Sequence, residues 1–364
     1  MKKERTLTAC LYAFIHFAVE VICFYSLYRF LPAEDTWWTV ALLYDTLAFA
    51  PQSVIGRLAE RFPNLRPGAL GGVLLLAGAG ICWLGGRFSV QLAGLVVLAI
   101  GNCFVHIAGA LATLRVSEGR LSESAVFVGG GSFGVITGRL LGAAGKSFAV
   151  PLVLMLLAIA ASLVVDSRLR RRYGEAAFRF DVLACRHDLA ADRPLAALVL
   201  LPALVIMVRA YIGYYLPTSW NQTKVQTVFL FCTMGAGKML GGILADRFGA
   251  RRVGVVSCLL AVPALLLSDR IMWLSLIGVA LFSMTMAITL GGLVSVLPQN
   301  PGVAFGITTI GLLLGTVPPF FLPAPPRLLC NILIAALSVL AALVLGYCLK
   351  KPPLCDEKPE RSVR

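Results

Sequence analysis

The 364-residue chain is 59% hydrophobic and only 14% charged, with a mean hydropathy of +0.86, whereas soluble globular chains carry about 25% charged residues. So much apolar material cannot all be packed into a core, which excludes a soluble globular domain. The net charge of +14 has to be tested against membrane topology before any nucleic acid or acidic partner is inferred from it.

The first apolar stretch, 7–30, follows Met1-Lys2-Lys3-Glu4-Arg5. It is too long for the hydrophobic region of a signal peptide and no small-residue cleavage site follows, so it is expected to remain as a first span. His16 and Glu20, four apart, share one face of it. The second stretch, 36–57, opens on Trp37 and Trp38, carries Asp45 and Gln52, and ends in Gly56-Arg57-Leu58-Ala59-Glu60-Arg61-Phe62. Stretches at 68–85 and 89–114 follow, the latter with Asn102 and His106, then 124–145 with Gly130-x-x-x-Gly134-Val135-x-x-Gly138-Arg139, then 148–166. A polar segment, 167–193, containing Arg168, Arg170, Arg171 and Arg172, has the composition of a linker. Six more apolar stretches complete the chain before a polar tail: 194–217 with Arg209, Tyr211, Tyr214 and Tyr215, 224–244 with Lys238, then 253–269, 271–297, 303–322 and 328–349. Each is near the ~20 helical residues that cross a bilayer, so the expected fold is all-α with twelve transmembrane helices. The expected units are six helices over 1–166, a cytoplasmic linker over 167–193, six helices over 194–350 and a cytoplasmic tail over 351–364.

The basic residues fix an expected orientation. Arg29, Arg87, Lys146, Lys224, Arg270 and Arg327 stand singly in the six loops on one side, and Arg139, Arg209 and Lys238 lie within spans; all other bases fall on the side of the two termini. The positive-inside rule places that side in the cytoplasm. The cysteines show no Cys-x-x-Cys pair and no Cys/His cluster at metal spacing, so neither a disulfide framework nor a metal site is expected. No Gly-x-x-x-x-Gly-Lys-[Ser/Thr] loop occurs, which argues against ATP as the energy source.

The two halves repeat. Gly56 and Gly242, Glu60 and Asp246, and Arg61 and Arg247 are each separated by the same 186 residues, an internal symmetry that marks duplicated bundles. The stretch Gly242-Ile-Leu244-Ala245-Asp246-Arg247-Phe248-Gly249-Ala-Arg251-Arg252 resembles the signature loop of the major facilitator superfamily, Gly-x-Leu-Ala-Asp-Arg-x-Gly-Arg-Arg. The first copy departs at Glu60 and over Pro63-Asn64-Leu65-Arg66-Pro67. The glycines of span five resemble the family's antiporter signature, with Val135 and Arg139 in place of Pro and Gly. The resemblance implies two six-helix bundles related by a pseudo-two-fold axis. It also implies gating roles for Gly56, Glu60, Arg61, Gly242, Asp246, Arg247 and Arg251. Helices one, four, seven and ten would line one cavity, bringing Glu20, His106 and Arg209 around it.

Ionisable groups within spans cost at least ~2.5 kcal/mol on insertion scales and are functional candidates by default. Arg209 and Lys238, with Tyr211, His106, Asn102 and Arg139, are candidates for binding an anion, since arginine offers a permanently charged fork. Glu20, His16 and Asp45 are candidates for the proton-coupling side. A structural Glu20–Arg209 ion pair is the alternative. The function implied is secondary active transport of a small organic solute, an organic anion by three bases against two acids, coupled to ions or protons. A proton-coupled exporter of lipophilic cations and a non-transporting receptor with the same fold are the alternatives. No enzyme is expected, for want of paired catalytic acids or a nucleophile elbow, and no cofactor. A small-molecule substrate and the lipid bilayer are the expected partners, with no nucleic acid, and a monomer is the expected state.

Overall fold

Helices satisfy every backbone N–H and C=O internally, which lipid demands, and the apolar stretches accordingly form helices throughout. The structure is a computed structural model that describes residues 2–31, 37–62, 64–174 and 193–349; Pro63, most of the expected linker and the expected tail lie outside the described residues. In chain order the helices are α1 Lys2–Phe30, α2 Trp37–Phe49, α3 Gln52–Arg61, α4 Pro67–Leu84, α5 Phe88–Ser117, α6 Ser122–Ala143, α7 Ala149–Tyr173 and α8 Leu195–Tyr215. They continue as α9 Lys224–Phe248, α10 Ala250–Leu266, α11 Met272–Ser283, α12 Thr285–Val296, α13 Pro301–Thr316, α14 Pro318–Phe321 and α15 Arg327–Cys348. The pairs α2/α3, α11/α12 and α13/α14 run end to end, so these segments trace twelve rods. Ten are long and apolar enough to cross a membrane among the described residues. The protein is an all-α, multi-pass membrane protein, and exposed Leu84, Leu200, Leu328 and Leu343 present its apolar surface to lipid.

Span two is broken where the sequence suggests one helix. Pro51 has no N–H to donate to the carbonyl four residues back, and the chain turns between α2 and α3. The freed backbone finds side-chain partners: Cys103 Sγ on α5 donates to Leu47 O (3.2 Å) and Ala48 O (3.0 Å), and Gln52 Nε2 donates to Ala48 O (2.7 Å). Span six, by contrast, continues past Asp166 to Tyr173. Arg170 Nε donates to the Asp166 carboxylate at 3.0 and 3.1 Å, and Arg170, Arg171 and Arg172 occupy the last turn, where positive charge complements the helix dipole.

Two apolar clusters hold the rods together. One centres on Tyr12, Ile22, Leu98, Phe127 and Met155 and reaches over to Leu293 and Phe305; the other gathers Val205, Cys258, Phe282, Ile334 and Leu345. The tightest seam joins α1 to α6. A Cβ at Gly130, Gly134, Gly138 or Gly142 would collide with the carbonyl oxygen of Ala13, Phe17, Val21 or Tyr25 respectively, one contact per turn on both helices. Small residues at this spacing let backbones touch and replace a hydrophobic drive that lipid does not supply. Gly138→Val is therefore expected to force the helices apart and cost about 1–3 kcal/mol, read as a fall in the unfolding temperature in detergent; an unchanged temperature would refute the seam.

Candidate functional site

The triad His16, Glu20 and His106 sits where α1 crosses α5, with all three residues buried. His16 Nδ1 lies 2.9 Å from Phe127 O and His106 Nδ1 3.0 Å from Asn102 O. A carbonyl oxygen only accepts, so each imidazole donates from Nδ1 and turns Nε2 inward. The two Nε2 atoms are 2.8 Å apart, and each is within ion-pair distance of Glu20 Oε1, at 3.5 Å from His16 and 3.4 Å from His106. Asn102 Nδ2 donates to the same carboxylate oxygen at 3.3 Å and to Tyr44 Oη at 3.0 Å. Gly131 on α6 faces His16, where a Cβ would strike Nε2. The triad lines a compartment of about 190 Å³ with Tyr44, Asp45 and Lys238.

A second compartment, of about 360 Å³, lies among α8, α9 and α11–α13 and extends to Leu216 and Thr218 on the face opposite the chain termini. Met234, Lys238, Met286 and Leu312 line both compartments and so form their shared wall. Arg209 is 9% exposed here, and neither Nη1 nor Nη2 has a hydrogen-bond partner among the described residues. Glu20 is taken up by the triad, so the structural Glu20–Arg209 pair weighed from sequence is not what the described residues form. Lys238 Nζ donates to Ser132 Oγ of α6 at 2.9 Å, bridging α6 and α9.

Toward the face that carries the termini, the two halves are sealed by matched helix caps. Asp246 accepts from Leu121 N (2.7 Å) and Ser122 N (3.0 Å) with its two oxygens, capping α6, and Arg120 Nε lies 3.5 Å from the same carboxylate. Glu60 Oε1 accepts from Gly302 N at 2.6 Å in the first turn of α13, beside a hydrogen bond from Arg57 to Asn300. Gly242 and Gly56 make these approaches possible: a Cβ on Gly242 would lie 2.7 Å from Leu121 O, and one on Gly56 would enter the Gly302 backbone. Further in, Thr309 Oγ1 donates to Phe49 O at 3.0 Å.

No family model matches the sequence, and no curated protein does. Solved structures match it along nearly its whole length. The human organic anion transporter MFSD10 (TETRAN) aligns at a TM-score of 0.60 and 15% identity, covering 93% of this chain and 99% of that one. FucP, a major facilitator superfamily transporter, in its outward conformation, gives 0.65 and 15%, covering 94% and 98%. A bacterial homologue of the iron transporter ferroportin, outward-facing, gives 0.64 and 14%, also covering 94% and 98%. The chain has the major facilitator fold.

Within the major facilitator fold the candidates divide. His16, Glu20, Asp45, Asn102 and His106 meet in one compartment, and Arg209 and Lys238 in the other, with Lys238 common to both. Tyr211 does not line the cavity; it packs on Tyr215 with ring centroids 4.9 Å apart, and Tyr214 is the lining residue. Two residues on from Arg209 is about 200° around a helix, so closeness in sequence pointed the wrong way. Arg139 is exposed and stacks over Tyr28 at 5.2 Å, away from Asp45 and Glu20. Among the gating candidates, Arg61 and Arg247 are exposed and lie over the neighbouring Phe62 and Phe248, and Arg251 Nε donates to Gly346 O within its own half. Arg57 and Arg120, which the repeat did not single out, reach the opposite half instead. The triad joins residues of two helices ~90 positions apart, a grouping on which chain spacing is silent.

Glu60 stands beyond the second apolar stretch, and burial pushes its carboxyl up from 4.5 to about 7, against the pull of Gly302 N–H and Arg57. The sealed face thus holds the Glu60 proton more tightly than a parted face would, where the carboxyl meets water. Sealing gains as pH falls through 7, is fully favoured below about 4.5 and loses that advantage above 7. Spin labels replacing Arg61 and Arg252 are expected to report more of the sealed form at pH 6 than at pH 8, and Glu60→Gln to flatten the dependence. A dependence that survives Glu60→Gln would assign it elsewhere.

Proposed function

We propose that this protein is a secondary active transporter that moves a small organic anion across the membrane by alternating access. The observation that carries the reading is Arg209: a buried guanidinium whose two terminal nitrogens have no hydrogen-bond partner among the described residues and which lines a cavity of about 360 Å³. A buried charge is costly unless paired, and a carboxylate or phosphate fits the arginine fork with two parallel bonds. Lys238 on the shared wall adds a second positive charge.

The excess of bases on the terminal side supports a cytoplasmic location for both termini. On that reading the sealed face is cytoplasmic and the cavity opens outward, and the halves 1–166 and 194–350 rock about the midplane site. The solved neighbours are described as an organic anion transporter, a fucose:proton symporter and a homologue of an iron transporter, so the cavity's own residues have to choose the cargo. A cationic cargo is favoured only by Asp45, since Glu20 is engaged by His16, His106 and Asn102. The protein acts as a monomer and not as an enzyme on this reading.

Proteoliposomes loaded with a panel of mono- and dicarboxylates, phosphate esters and cationic drugs test it. Counterflow of at least one anion is expected. Counterflow confined to cations, or to nothing in protein that melts cooperatively, would overturn the reading.

A further inference from the structure

We infer that His16, Glu20 and His106 form a binding site for one divalent transition-metal ion. Both imidazoles are held through Nδ1 by backbone carbonyls with Nε2 turned inward, which is how metal-ligating histidines are ordinarily held. Two ring nitrogens 2.8 Å apart need a positive charge between them, either a shared proton or a metal ion that replaces it. The carboxylate oxygen that completes the triangle is 3.4 and 3.5 Å from them and is steadied by Asn102.

Three atoms with these separations fit together on a sphere of radius about 2.1 Å, the usual length of metal–nitrogen and metal–carboxylate bonds. The 3.4 and 3.5 Å edges match neighbouring ligands of a tetrahedral ion and the 2.8 Å edge is nearer the octahedral spacing, so the set is a two-histidine, one-carboxylate face that leaves at least one coordination position open. The open side faces the compartment that Asp45 also lines, so a second carboxylate stands nearby to balance a double charge. Gly131 keeps space beside His16 Nε2 that any side chain would fill. Two imidazole nitrogens with one carboxylate favour Zn²⁺, Co²⁺, Fe²⁺ or Mn²⁺ over Mg²⁺ and Ca²⁺, which prefer all-oxygen sets. This goes beyond the anion reading, which rests on Arg209 in the other compartment.

The test uses full-length protein, freed of any histidine tag, in detergent. Titration with Co²⁺ is expected to produce visible d–d bands that saturate at one ion per chain and that Zn²⁺ abolishes by displacement. Bound metal should raise the unfolding temperature, since it favours the native state by mass action, and a large excess of Mg²⁺ should not. His106→Gln and Glu20→Gln are each expected to weaken Co²⁺ binding at least about tenfold, whereas Arg209→Lys should leave it intact while altering anion counterflow. Wild-type protein that gives no d–d bands at millimolar Co²⁺ overturns the site, whatever the variants do, and leaves the triad as a shared-proton pair. Bands that persist unchanged in a folded His106→Gln variant overturn it as well, since the ion would then sit elsewhere.

Discussion

Arg209→Met is expected to raise the stability of the protein and at the same time to remove most of its anion transport. In the folded state Arg209 is buried, and neither Nη atom is hydrogen-bonded among the described residues, so the side chain bears a desolvation cost that none of their hydrogen bonds to it offsets. A gain of ~1 kcal/mol, or about 2–4 °C in unfolding temperature, is the expected scale. Transport moves the other way. Two charge-assisted bonds to a carboxylate contribute about 1.5–3 kcal/mol each, so losing the fork should depress uptake by ~100-fold or more. Arg209→Lys keeps a point charge without the fork and should fall between. A structural role predicts the opposite pair of results, a lower unfolding temperature with transport preserved, and that outcome would sink the reading.

The second large effect is expected at Asp246. Its carboxylate caps α6 through Leu121 N and Ser122 N, across the boundary between the two halves. Asp246→Ala removes two charge-assisted bonds that exist only while the terminal face is sealed. At ~1.5–3 kcal/mol for each bond to a charged group, partly recovered when water reaches the exposed amides, the sealed form should lose ~3 kcal/mol relative to the parted one. Each 1.4 kcal/mol is tenfold in an equilibrium constant, so the population should swing by roughly a hundredfold. Labels replacing Arg61 and Arg252 would show it as a longer distance distribution. An unchanged distribution in Asp246→Ala would mean that the glycine contacts alone hold the face shut. Glu60 makes a single such bond, to Gly302 N, and Glu60→Ala should shift the distribution less.

The placement of the rods was legible because hydropathy and span length are one-dimensional signals. The repeat was equally legible: Gly56 and Gly242 mark backbone approaches that side chains would block, and such constraints survive in the residue type. What was not legible depends on rotation about a helix axis or on the other end of a contact. Tyr211 and Arg209 are neighbours in the chain and face different ways. Arg247 carries the family's motif residue, yet it projects outward, while Arg120 from the other half meets Asp246. The break at Pro51 was not read from the sequence, and that Cys103 would meet the freed carbonyl of Leu47 required α5 to be in place. The His16–His106 contact likewise exists only once α1 and α5 have crossed.

The glycine seam between α1 and α6 has a mechanical consequence. With backbone pressed on backbone for four turns, neither helix can slide or roll against the other, so the pair moves as one lever. His16 is fixed to that lever opposite Gly131, and the capped amide of Ser122 lies nine residues away, about 13 Å along the α6 axis. Whatever shifts the triad must therefore tug on the Asp246 latch, with no relay of side chains in between.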